Sequence, residues 1–125
     1  MKISTFKEYQ KEAVGLSISL DKFRKLSPDL DEGLVKLIAV VYDGLGLGEA
    51  GEVQGKIKKI IRDNGGIITP EAVDGIKDEL GDTLWYITSM CANLGITLED
   101  VAVGNIKKLH DRRERGVLGG SGDKR

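Results

Sequence analysis

The sequence predicts an all-α fold, a bundle of about four helices that is completed by dimerisation. Three observations indicate this. Apolar residues recur at helical spacing from residue 31 onward, helix start and stop signals bound the later segments, and no segment shows the alternation typical of a strand. The chain has 125 residues, which is the size of one domain. We therefore expect a single domain over residues 1–125.

The N-terminal part contains one clear helix signal. Thr5 is followed three residues later by Glu8, the spacing of a capping box, and this predicts a helix from about Phe6 to Val14. Residues 15–30 show no clear period. Within them, the segment 27–29 has the composition of a turn.

A long helical pattern begins at Asp31, and one stripe of it is first apolar, then acidic, then basic. Because the acidic pair continues the apolar stripe, we expect it on the buried face. Five glycines between residues 44 and 55 weaken the helix. They predict either a kink near Asp43 or a close approach of another backbone or a ligand. The stripe consists of Leu34, Leu37, Ile38, Val41, Leu45, Glu49, Glu52, Lys56 and Lys59.

Two more helices follow. Thr69, Pro70 and Glu71 form a strong start signal, and Leu94-Gly95 a stop signal, which together predict a helix ending at about Asn93. This helix is apolar on most sides, so a chain of this length cannot cover it alone, and we expect a dimer or a larger assembly. A last helix is predicted from Thr97 to about residue 113. We expect the glycine-rich tail, residues 116–125, to be mobile.

Composition excludes several classes of function. The net charge is −1, with 40% apolar and 31% charged residues, so nothing favours binding to nucleic acid or to a membrane surface. No apolar run is long enough for a transmembrane helix, and the N-terminus lacks the apolar core of a secretory signal. Cys91 is the one cysteine, which precludes an intrachain disulfide. We therefore expect a cytoplasmic protein.

One short motif suggests a different fold. Residues 46–51 match the pattern GxGxxG, and the apolar run before them could pass for the first strand of a dinucleotide-binding domain. The run fits the helical stripe without a break, however, and Glu49 would stand in the loop that receives a pyrophosphate. No second parallel strand follows either. We therefore reject this interpretation.

Two acidic pairs are the most informative motifs. Glu49 and Glu52 are three residues apart, as are Glu79 and Asp82, so each pair lies on one side of a helix. The residues between the pairs allow the chain to reverse, which would bring four carboxylates face to face. Such a cluster needs a cation, and oxygen ligands suit Mg²⁺, Mn²⁺ or Ca²⁺. The alternatives are solvated helix faces or an ion with a purely structural role. A di-iron bundle would require Glu-x-x-His, which His110 does not complete.

These motifs and their surroundings carry a resemblance to a known family. Gly48-Glu49-Ala50-Gly51-Glu52, Lys58-Lys59, and Glu79-Leu80-Gly81-Asp82-Thr83-Leu84-Trp85-Tyr86 resemble the MazG-like, all-α nucleoside triphosphate pyrophosphohydrolases. Residues 105–109, Arg112, Arg115 and the tail from Gly120 are similar to that family as well. The resemblance covers most of the chain, from about Tyr9, but residues 15–33 match no family feature.

The resemblance implies hydrolysis of a nucleoside triphosphate between the α- and β-phosphates, giving a monophosphate and pyrophosphate. It implies Mg²⁺, with Mn²⁺ as a substitute, held by Glu49, Glu52, Glu79 and Asp82. Either Glu49 or Glu52 would be the catalytic base that accepts the proton of the attacking water. The candidate substrate-binding residues are Lys56, Lys59, Tyr86, Asn105, Lys108, Arg112 and Arg115. Gln10 is a weaker candidate for reading a base edge.

The sequence is also compatible with other functions. A homodimer or homotetramer that binds nucleotide or metal without catalysis, as a sensor or scaffold, would show the same motifs. Within the superfamily, phosphoribosyl-ATP or a dUTP- or dCTP-type nucleotide is an alternative substrate. The sequence names neither the base nor the sugar.

Overall fold

The computed structural model describes residues 2–17 and 19–122, without the side chains of residues 19 and 20. The described chain is all-α, and no strand occurs within it. A single 3-10 turn, Leu47–Glu49, joins the third helix to the fourth. The helices are α1 (Phe6–Gly15), α2 (Ser19–Leu26), α3 (Glu32–Gly46), α4 (Ala50–Asn64), α5 (Pro70–Leu94) and α6 (Leu98–Glu114).

The helix ends confirm most of the start and stop signals. The Thr5 hydroxyl accepts from the Glu8 N–H while the Glu8 carboxylate accepts from the Thr5 N–H, which completes the capping box. The Thr69 hydroxyl caps α5, and Gly95 ends that helix in the left-handed conformation at φ 72°. Gly116, with φ 70°, follows the end of α6. The predicted mobility of the tail extends to residues 123–125, which lie outside the described residues.

Helix α2 was not predicted. Its eight residues carry an acid in the first turn and two bases in the last, which suits the helix dipole, but no capping pattern precedes it. Arg24 pairs with Glu32 at 2.8 Å, and both side chains are largely exposed. Because exposed ion pairs stabilise little, α2 depends mainly on packing against α3. Tertiary packing of this kind leaves no local signature in the sequence.

The long helix α5 is the centre of the fold. It packs against α1, α3 and α4, whereas α2 covers α3, and α6 lies against α1 and α5. Asp43 contacts Asn93, Gly44 approaches Met90, and Lys56 reaches Glu79. Residue numbers along α5 therefore decrease as those along α3 and α4 increase, so the two segments are antiparallel. The predicted reversal of the chain between the acidic pairs is confirmed.

The face of α3 that is buried in the single chain is a different one from the predicted face. Val35, Ala39 and Asp43 are buried, whereas most α3 residues of the predicted stripe are exposed, with Leu45 76% accessible. Helix α3 is apolar on two faces, and α5 packs against the one with small side chains. Val73 and Leu80 of α5 are half-exposed as well. The exposed members of the α3 stripe are Leu34, Leu37, Val41 and Leu45.

A buried polar contact joins α3 to α5. The Asn93 amide donates to Oδ2 of Asp43 at 2.7 Å, and Asp43 is 0% exposed. Its other oxygen, Oδ1, has no hydrogen-bond partner in the described structure. A buried carboxylate needs compensation, so the bond from Asn93 is expected to be worth more than an ordinary surface hydrogen bond.

Two smaller expectations are revised. The irregularity expected near Asp43 lies instead at Leu47–Glu49, where the helix tightens to 3-10 geometry. The Gln10 amide, expected as a weak candidate for reading a base edge, instead donates to the Ile96 carbonyl and accepts from the Leu98 N–H, which clamps α1 to the start of α6. The rejection of a dinucleotide-binding strand is confirmed, because residues 37–46 are helical. Among the described helices, none is both long and apolar enough to cross a membrane.

Candidate active site

Three carboxylates meet where the 3-10 turn passes α5. Glu49, Glu79 and Asp82 each offer one oxygen, and these oxygens all lie within 4.8 Å of one another. Glu49 ends the 3-10 turn, whereas Glu79 and Asp82 follow each other by about one turn of α5. Glu49 and Glu79 are half-buried, and Asp82 is exposed. The antiparallel packing of the two segments thus brings both acidic motifs to one place.

Charge makes this cluster costly without a cation. Three carboxylates at such distances repel one another, most strongly where burial reduces solvent screening. Lys56 supplies one positive charge, with its Nζ 3.2 Å from Oε1 of Glu79. The donor set is all oxygen, which suits a hard divalent cation, and Asp82 leaves the cluster open to solvent. The cluster can therefore hold a metal ion.

The fourth predicted acid lies outside the cluster. Glu52 is exposed in the first turn of α4, and its carboxylate is not among the grouped oxygens. Its Oε2 lies 4.0 Å from the position of a Cβ on Gly55, so the side chain runs along its own helix. The structure thus brings three of the four predicted carboxylates together.

Tyrosines border the cluster on the α3 side. Tyr86 stacks edge-on against Tyr42, with ring centroids 6.3 Å apart. Burial raises the pKa of Tyr86, and the neighbouring Tyr42 hydroxyl and the negative charges of Glu49 and Asp82 raise it further. Gly46 makes the arrangement possible, because any Cβ there would overlap the Tyr86 ring.

Tyr9 borders the cluster from α1. Helix α1 packs against α5, burial raises the pKa of Tyr9, and the charge of Asp82 raises it further. Tyr9 also lines an open groove of about 610 Å³, together with Phe6 and Leu84. A groove of this size can accept a nucleoside. Tyr9 and Tyr42 were missed as site residues, since only the packing of distant helices reveals their position.

The other predicted substrate-binding residues differ in exposure and position. Lys56 is at the cluster, and Lys59 is exposed on α4. Asn105 and Lys108 are exposed on α6, but Arg112 is only 5% accessible. Arg115 pairs with Asp111 at 2.7 Å.

Helix α6 does not approach the cluster from the α3–α4 side. Within the described part of the chain it packs against α1 and α5, and it makes no packing contact with α3, the 3-10 turn or α4. The structure therefore does not bring the α6 residues together with Glu49 and Lys56 on that side of the cluster.

Comparisons with known proteins assign the chain to a family. Residues 45–117 match the model of the MazG nucleotide pyrophosphohydrolase domain, a range that includes both acidic motifs and all of α6. The Gene 37 protein of Mycobacterium phage L5 is 47% identical over 85 residues, which are 67% of this chain and 75% of that relative. No solved structure matches the chain. The chain belongs to the MazG nucleotide pyrophosphohydrolase family.

Proposed function

We propose that the protein is a Mg²⁺-dependent enzyme that cleaves nucleoside triphosphates, ribo- or deoxyribo-, between the α- and β-phosphates. The products are a nucleoside monophosphate and pyrophosphate. The observation that carries this proposal is the convergence of Glu49, Glu79 and Asp82 from two distant motifs. Family membership supports the reaction type. Mn²⁺ is the expected substitute for Mg²⁺, because both accept oxygen ligands.

Each acid has a distinct role in this proposal. Glu49, Glu79 and Asp82 hold the Mg²⁺, which supplies charge neutralisation for the phosphates and acidifies bound water. Glu52 is the candidate base: its carboxylate lies outside the cluster, so it keeps oxygens with which to accept a proton. Lys56 and Lys59, further along α4, are the proposed contacts of the departing pyrophosphate.

The nucleoside is proposed to lie against the tyrosines. Tyr86 is beside the cluster, and the groove next to Tyr9 has the volume for a sugar and a base. Aromatic rings accept any base by stacking, so these contacts alone set no base preference. A panel of substrates is therefore needed to find which base and sugar the enzyme prefers.

The protein is proposed to act as a homodimer or homotetramer. The apolar stripe of α3 is exposed in one chain, as are Ile57 and Ile61 on α4. Contiguous apolar surface on a small domain is typical of a subunit interface. A second copy would bring its own Asn105, Lys108 and Arg115 to the cluster, which α6 of the same chain does not reach from the α3–α4 side, whereas Arg112 is buried within its own chain.

Light scattering on the purified chain tests the assembly. We expect at least twice the mass of one chain, which is 13.6 kDa. Leu37→Asp should reduce the mass to that of a monomer, because a charge on the buried interface is costly. An oligomer that is unaffected by this change would exclude the α3 stripe as the interface.

Product analysis tests the reaction. The chain is incubated with each common ribo- and deoxyribonucleoside triphosphate and Mg²⁺, and the products are separated by ion-exchange chromatography. We expect monophosphate and pyrophosphate in equal amounts, and no turnover in excess EDTA. Orthophosphate as the sole phosphate product, or turnover that EDTA does not stop, would contradict the proposal. Nucleotide binding without products would favour a non-catalytic sensor.

A further inference from the structure

One lysine already compensates charge at the carboxylate cluster. Lys56 places Nζ 3.2 Å from Oε1 of Glu79, and the Glu79 side chain is only 17% exposed, against 38% for Lys56. Ion pairs on open surface contribute little, but this carboxylate is half-buried beside those of Glu49 and Asp82. The ammonium therefore offsets part of the repulsion among the three carboxylates.

The path of the lysine side chain explains how it reaches this position. A Cβ on Gly75 would lie 3.7 Å from Cδ and 3.6 Å from Nζ of Lys56, both ordinary packing distances. Gly75 is one turn before Glu79 on α5. The aliphatic part of the lysine thus lies along α5, and its charged end meets the carboxylate from the N-terminal direction.

A divalent cation in the cluster would compete with this ammonium. Both would be within a few ångströms of the same Glu79 carboxylate, and like charges at that separation repel. We infer that Lys56 is the counter-ion of the cluster in the metal-free chain and gives up Glu79 when a divalent cation binds. This inference rests on the metal site of the proposed function and adds an order of events to it.

The released ammonium then has a new partner within reach. The cluster itself is negative and repels a triphosphate, whereas a lysine freed from Glu79 attracts it. Metal binding would therefore precede productive nucleotide binding. Lys56 would act as a positioning residue before the substrate arrives and as a phosphate ligand afterwards.

Titration with Mn²⁺ alone tests the inference. Mn²⁺ is added to the full chain without nucleotide at low ionic strength, and binding is followed by calorimetry and by the electron paramagnetic resonance signal of free Mn²⁺. Lys56→Met removes the competing charge, so we expect Mn²⁺ to bind about fivefold to tenfold more tightly than to the wild type. Lys56→Arg keeps the charge and should bind nearly as the wild type does.

Lys58→Met is the matched control. Lys58 is on the same helix as Lys56, and replacing it by methionine changes the net charge by the same amount. Its side chain is exposed and lies beside Ile57 and Ile61 on α4. We expect its Mn²⁺ affinity within about twofold of the wild type. Circular dichroism checks that each variant folds, and Lys56→Gln replaces the methionine variant if that one aggregates.

The outcomes separate this inference from the proposed function. If the wild type binds Mn²⁺ and Lys56→Met binds it equally or more weakly, the counter-ion inference is wrong and the metal site stands. If the wild type binds no Mn²⁺, both are wrong. An equal gain in Lys58→Met would show a general charge effect, which also overturns the specific role of Lys56.

Discussion

The packing interface between α5 and the α3–α4 segment, which we call the seam, differs from the polar side of α6 in one respect. Both regions carry polar residues at helical spacing, but at the seam residues from two helices meet, whereas those of α6 lie along one helix. Glu49 and Asp82 come together because two antiparallel helices share a register. Asn105 and Lys108 are both exposed on α6. Helical spacing therefore shows which residues share one face of a helix. Such a face becomes a site only where a second element packs against it and contributes further residues.

The first variant tests this difference at the chemical centre. Asp82→Asn removes one charge from the cluster, and we expect turnover to fall by about 1000-fold, because a hard cation binds an amide more weakly than a carboxylate. The helical content should not change. Asp78→Asn is the control, as Asp78 is exposed on the same helix outside the cluster, and its rate should stay near that of the wild type. Full activity in Asp82→Asn would remove this residue from the site.

The second variant tests the close packing at the seam. In Gly46→Ala the new Cβ would overlap the Tyr86 ring, so the ring or the helix must move. We expect a loss of about 2 kcal/mol in the free energy of unfolding, measured with urea. Gly51→Ala has no atom near its new Cβ and lies within α4, so it should gain about 0.5–1 kcal/mol. Equal effects from both substitutions would contradict the packing at Tyr86.

A third substitution tests the buried polar contact of the same seam. Asn93→Ala leaves the Asp43 carboxylate with no hydrogen-bond donor, and we expect a loss of about 2 kcal/mol in the free energy of unfolding. Asn105→Ala, on the exposed side of α6, controls for the higher helix propensity of alanine and should cost nothing. A neutral result for Asn93→Ala would mean that water or another group satisfies Asp43 equally well.

The smallest effect is expected on α6. A second copy is proposed to bring Lys108 to the cluster, so Lys108→Ala should raise KM for the nucleotide by about tenfold. It should change kcat little, as loss of a phosphate contact does when it acts equally on ground and transition states. Lys107→Ala, also exposed on α6, should leave KM within about twofold. If KM is unchanged in Lys108→Ala, the α6 residues do not bind substrate, and the difference between the two regions is sharper than proposed.

Much of the fold was predictable because its signals are local. The caps at Thr5, Thr69 and Thr97 and the glycine at 95 are each satisfied within a few residues, so the sequence shows them directly. Helix α2 lacked such a signal. The face of α3 that is buried within one chain was predicted wrongly, because that helix is apolar on two faces and only packing against α5 selects between them.

Part of the site was also predictable, because the acidic motifs are local signals in the sequence. Two acidic pairs at helical spacing indicated the convergence of Glu49, Glu79 and Asp82, whereas the outward position of Glu52 depends on a side-chain rotamer. Tyr9 and Tyr42 join the site through contacts between helices that are distant in sequence. Burial of Arg112 likewise depends on tertiary structure, which periodicity alone does not specify.

The central claim is that Glu49, Glu79 and Asp82 share one divalent cation. A crystal grown with Mn²⁺, with anomalous difference density measured near the manganese edge, tests it most directly. We predict a peak about 2.1 Å from a carboxylate oxygen of each of the three residues, with Lys56 turned away from Glu79. A cluster without a peak in a crystal that contains Mn²⁺, or a peak bound by other residues, would contradict the claim.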